Sequence, residues 1–133
     1  MLGIGATDDV QVEVISAYSA SSDSVQAVVS TPGWTVIGST HISVGYQVRV
    51  EVTGSCSKGT LIMHVRLYDV TLSAVVSGSS VTLDSTTEVR STSGEFTITG
   101  GHVYQYQVEV VLKEAGTVDG TDFGIVNSAT LIN

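Results

Sequence analysis

His41, His64 and His102 are the side chains best suited to bind a metal ion or move a proton at neutral pH. No two of them lie closer than 23 residues apart, and none has a second ligand at the short spacing a zinc motif uses. His41 and His102 each open an alternating run and His64 falls on the polar side of another, so all three are expected to be exposed strand histidines. The 18 serines supply hydroxyls, but no Gly-x-Ser-x-Gly elbow sets one beside a base. Glu13, Glu51, Glu95 and Glu109 fall on the polar sides of alternating runs, where solubilising charge belongs, and do not read as a convergent glycosidase pair. The expectation is a protein that is not an enzyme, with no catalytic residue, cofactor or metal.

Softer chemistry lies elsewhere. Asp119 and Asp122 flank Gly120, and Asp8-Asp9 forms a second acidic pair, but the turn lacks the Asp-x-Asp-x-Asp-Gly spacing of a calcium loop. An acidic turn without a metal is expected. Trp34 follows Pro32-Gly33 at the start of a strand, where an indole plugs one end of a core or, if exposed, stacks on a sugar ring; the core role is the expected one. Tyr46, Tyr104 and Tyr106 keep register with valines and read as core, whereas Tyr18 and Tyr68 read as surface. Trp34, Tyr18, Tyr68, Asp119 and Asp122 are therefore the candidate contacts for a ligand or partner. Aromatic residues make up only 6% of the chain, which leaves little material for a sugar platform. Cys56, the single cysteine, sits in the turn-like stretch Gly54 to Gly59 and cannot form an internal disulfide. It is expected to be an inert loop thiol, with an intermolecular link as the alternative.

The elements that would position these groups are strands. From His41 to Thr53 the apolar residues Ile42, Val44, Tyr46, Val48, Val50 and Val52 take every even place. Period two means one face on a core and the other in water. The pattern recurs at Val10–Val14, Leu61–Tyr68, Glu95–Thr99, Tyr104–Leu112 and Ile125–Ile132. Shorter candidates are Val25–Ser30, Trp34–Gly38, Ala74–Ser77, Val81–Asp84 and Glu88–Ser91. Breakers separate them: Pro32-Gly33, Gly54–Gly59, Gly78-Ser79-Ser80, Ser93-Gly94, Gly100-Gly101 and Gly116–Gly120. Gly100-Gly101 between two runs predicts a two-residue hairpin. No apolar helical spacing is sustained, and β-branched residues favour pleated sheet. The sum predicts an all-β fold, an antiparallel β-sandwich of jelly-roll or related Greek-key type with about 8–10 strands. Residues 1–9 are expected to be a flexible arm and residues 10–133 a single domain.

Charge excludes more. The 133 residues carry 13 acidic and 5 basic side chains, a formal net charge of −8, so nucleic-acid binding is not expected. No apolar run is long enough for a membrane helix. The start Met1-Leu2-Gly3-Ile4-Gly5-Ala6-Thr7-Asp8-Asp9 lacks the cation and the apolar stretch of a secretory leader, which predicts synthesis in a cytoplasm, with secretion as the alternative. Only 14% of residues are charged, against a usual value of about 25%. Sheet faces so poor in charge are expected to be covered by another subunit, by default a copy of the same chain.

The second half has a cadence that carries a resemblance: Val65-Arg66-Leu67-Tyr68-Asp69-Val70-Thr71, Ala74-Val75-Val76-Ser77-Gly78-Ser79, Ser85-Thr86-Thr87-Glu88-Val89-Arg90-Ser91, Gly94 through Tyr104, and Asn127-Ser128-Ala129-Thr130-Leu131-Ile132. Over residues 61 to 132 the chain resembles the jelly-roll β-sandwich modules of tailed-phage and related particles, which serve as head decorations, head fibres and tail-fibre domains. The resemblance implies a non-enzymatic virion structural protein that self-associates, with a homotrimer favoured, and docks on a capsid or similar assembly. Residues 114–123 exceed the pattern and are a candidate contact loop. The alternative expectation is a carbohydrate- or receptor-binding sandwich.

Overall fold

The computed structural model describes residues 27–29, 33–42, 45–114 and 122–132. The arm at 1–9, the run Val10–Val14, Tyr18, Val44 and Asp119 lie outside the described residues, as does the side chain of Tyr46. Alternation becomes burial directly. In β4 (Leu61–Asp69) every odd position is buried and every even one half-buried. The other strands are β1 (Ala27–Val29), β2 (Thr35–His41), β3 (Tyr46–Cys56), β5 (Ala74–Val75), β6 (Val81–Leu83), β7 (Val89–Thr92), β8 (Phe96–Ile98), β9 (Val103–Leu112) and β10 (Gly124–Ile132).

All pairings are antiparallel and form two sheets. The first runs β1-β10-β3-β7, with β8 also on β3; the second runs β2-β9-β4-β5, with β6 also on β4. Taking β5 with β6 and β7 with β8 as one interrupted strand each, the outermost strands pair first with last, second with second-last, and so inward. That is a long hairpin rolled up, the jelly-roll winding. The inner faces meet in one core, in which Val48, Val50 and Val52 from β3 face Leu61, Met63 and Val65 from β4, alongside Tyr104, Tyr106, Val108 and Val110 from β9. Tyr104 and Tyr106 are core, as expected. The Tyr104 hydroxyl has a polar partner there, accepting from the Thr99 amide at 2.7 Å.

The two interrupted strands share one device. At the break between β5 and β6, buried Ser79 places its hydroxyl between the strands: Leu67 N donates to Ser79 Oγ (3.0 Å), which donates to Val76 O (2.7 Å). At the break between β7 and β8, Val50 N donates to Ser93 Oγ (2.9 Å) while Ser93 N donates to Val50 O (2.8 Å). In each sheet a hydroxyl takes the place of a ladder carbonyl, so the inner strand keeps its bond while the edge strand turns away.

Three expectations need correction. The run His41–Thr53 is not one strand: β2 ends at His41, β3 starts at Tyr46, and the chain changes sheets between them. Ile42 is still 2% exposed, because alternation reports the face a residue takes and survives a corner. Gly100-Gly101 is not a hairpin between paired strands, since β8 belongs to the first sheet and β9 to the second. Gly101, at φ 88°, instead turns the chain across the sandwich and donates to Ile42 O at 2.6 Å. In β10 the strict alternation fails at a bulge between Val126 and Ser128. The extra residue, Asn127, switches parity, so Val126, Ala129 and Leu131 face the core while Ile125, Thr130 and Ile132 face outward.

Candidate functional site

The outer face of the second sheet gathers Trp34 and Tyr68. β4 contributes Ile62, His64, Arg66 and Tyr68 from its even positions, and β9 contributes Val103, Gln105, Gln107, Glu109 and Val111 from its odd ones. Register sets Val36 beside Gln107 and Arg66, and Ser39 beside Gln105, Tyr68 and Val75. Within the strands of this face Arg66 and Glu109 are the only formal charges among the described residues, and Lys113 and Asp84, just past β9 and β6, pair with each other at its end (3.5 Å).

Trp34 is half-buried and lies outside the core cluster, which corrects the expectation of a core plug. It stands immediately before β2 with the parity of outward-facing Val36, and the Arg66 guanidinium carbon lies 3.7 Å from its ring centroid. This is a cation–π stack that occupies one face of the indole. Arg66 Nε also donates to Gln107 Oε1 at 2.8 Å, so the guanidinium is held between Trp34 and Gln107, which is itself only 9% exposed. His64 shares the face and lies 3.2 Å from Thr82 Oγ1. His41 is exposed.

Asp122 is not on this face. It precedes β10, is buried, and pairs with Lys58 Nζ at 2.6 Å. Ser57 and Phe123 exchange hydrogen bonds beside it, Ser57 N to Phe123 O (2.8 Å) and Phe123 N to Ser57 Oγ (2.9 Å). Asp122 thus clamps the approach to β10 onto the β3–β4 turn. The structure puts Trp34 and Tyr68 on one face, apart from each other along the strands, and holds Asp122 on the turn between the sheets.

One buried polar pair was not anticipated from the sequence. His102, expected to be exposed, has a side chain 18% exposed, and its Nδ1 donates to Asp69 Oδ2 at 2.7 Å. Asp69 Oδ1 accepts from Leu72 N at 3.0 Å, Val103 N donates to Thr71 Oγ1 at 2.9 Å, and Val70 N donates to Val103 O at 2.8 Å. Together they brace the β4–β5 turn, in which Ser73 takes φ 55°. The signal was available: Asp69 falls on the core parity of β4, where a carboxylate needs a buried partner. No hydroxyl or thiol among the described residues is seen bonded to His102 as a nucleophile would be.

Cys56 is the last residue of β3 and buried, not a loop thiol; its Sγ lies 3.6 Å from Leu83 O. Burial first, and the Asp84 carboxylate second, push the thiol above its ordinary value. Among the described residues one shallow recess of about 410 Å³ lies at Gly59, Thr60, Leu112, Lys113 and Glu114, and another of about 290 Å³ at Thr53, Glu88, Val89 and Arg90. Their linings set Thr60 with Lys113 and Glu114, and Thr53 with Glu88 and Arg90. Among the described residues no group of three or more His, Cys, Asp or Glu side chains is placed to hold a metal ion. Compared with known proteins, the chain matches no family model, no curated protein and no solved structure.

Proposed function

We propose that this chain is a non-enzymatic structural module of a virus- or phage-like particle, acting by self-association and by docking on the assembly, after synthesis in a cytoplasm. The observation that carries the reading is the outer face of the second sheet, a broad surface whose described strands carry one arginine and one glutamate. A solitary domain ordinarily spreads far more charge over a solvated sheet. The rolled-hairpin winding, which capsid proteins and lectins both use, is the second support. Such a module works by burying its surface against neighbours, and many weak contacts sum to a firm lattice. Sedimentation velocity on the full chain should show oligomers, with a trimer the leading expectation, and a tagged copy made in its own host should band with particles in a density gradient. A tagged copy that stays with soluble protein at the top of the gradient overturns the particle reading.

A glycan-binding module is the second reading, favoured by Trp34 and Tyr68 sharing one face. Its test is a glycan array on which Trp34→Ala abolishes binding while the chain still melts as a folded protein, within the roughly 1 kcal/mol that a half-buried indole and its cation–π contact contribute. An array with no binding by the unaltered chain removes this reading.

A further inference from the structure

We infer that the contact between copies is made by the outer face of the second sheet, extended by the β4–β5 turn; this rests on the self-association reading and names the surface it uses. Exposed large apolar side chains are distributed unevenly. Val36 (47% exposed) and Val75 (44%) lie on this face, and Val70 (37%) and Leu72 (64%) lie on the turn that ends it; among the described residues Val89 alone belongs to the other sheet. Two such side chains on the face and two on the turn at its end mark a surface that gains by leaving water.

The occupant is a second copy of this chain, on three grounds. The first is charge. The chain carries −8, yet Arg66 and Glu109 balance each other on this face, so here copies can meet without setting like charges against each other. The second is area. Four strands at about 4.8 Å spacing and about 25 Å of length give a face on the order of 450 Å², so two copies bury about 900 Å². That is below a standard stable interface and suits a weak contact that a lattice reinforces. The third is preorganisation. Leu72 stands on a turn already held by Asp69, Thr71 and Val103, so burying it orders little that is loose.

The experiment is sedimentation velocity on the full chain from about 10 µM to about 1 mM, at low and high salt. Association should tighten with salt, because screening lowers the repulsion between copies while the apolar contact persists. Leu72→Asp and Val75→Glu should each weaken association by about tenfold or more. Gln47→Glu, the same change in charge at an exposed position on the other sheet, should leave it unchanged. Melting curves for all three should overlay the parent, since each side chain is exposed. If the chain associates but Leu72→Asp and Val75→Glu associate as the parent does, or Gln47→Glu disrupts equally, the inference fails while self-association stands. Loosening with salt also overturns it. A chain that stays monomeric throughout overturns the self-association reading itself.

Discussion

Asp69 shows how a single side chain can order a turn without touching a ligand. Its two carboxylate oxygens accept from His102 Nδ1 and Leu72 N in a nearly dry site. Asp69→Ala leaves both donors unpaired, and urea denaturation should show a loss of about 2–3 kcal/mol, as for other buried donors deprived of their acceptor. Cys56 makes a different prediction. Its thiol is raised in the folded state, so the unfolded chain releases that proton first, and stability must fall as pH climbs through the ordinary thiol range, above about 8.5. Cys56→Ala should flatten that alkaline slope, and the native thiol should react with an alkylating reagent far more slowly than the denatured one. Trp34 belongs with surface side chains. Trp34→Ala should cost roughly 1 kcal/mol in thermal melts, well short of the ~3–5 kcal/mol of a core tryptophan, because it is half-buried and loses one cation–π contact.

At the scale of elements, the serine insertions carry more than their size suggests. Ser79→Ala and Ser93→Ala each strand a buried backbone amide, of Leu67 and Val50 respectively, and each should cost about 1–3 kcal/mol by denaturant titration. Ser80→Ala, at an exposed neighbour, should cost almost nothing. A second constraint is the close approach of β3 to β10: a methyl group on Gly54 would fall inside the Ile125 carbonyl, so Gly54→Ala should destabilise by about 2–3 kcal/mol or more. The strands themselves were legible, because a sheet with one wet face must alternate, and β4 does so without interruption. What escaped notice were departures from a straight ladder. The bulge at Asn127 leaves no mark in composition, and Gly100-Gly101 looks the same whether the chain returns to its own sheet or crosses to the other. Of the candidate contacts, Tyr68 was placed by parity alone. Asp122 looked like a surface turn residue because its partner, Lys58, lies 64 residues earlier in the chain.

At the scale of the molecule, the winding joins distant parts of the chain. β1 pairs with β10 through Ala27 and Val126, and β2 pairs with β9 through Thr35 and Val108. Loops this long must close before their contacts contribute, so refolding monitored by Trp34 fluorescence should take milliseconds to seconds, far slower than a helical chain of this length. The serine insertions have a consequence here too. Among the described residues no sheet ends in a long, regular edge: β1 has three residues, β2 is bulged between Val36 and Gly38, and the β5–β6 and β7–β8 edges are each broken at a serine. A chain rich in valine and threonine would otherwise be a ready substrate for amyloid, growing by one backbone copying the next. With its rims notched, the protein should stay dark to thioflavin T even at high concentration, whereas Ser79→Ala, by loosening one notch, should shorten the lag before fibrils seed.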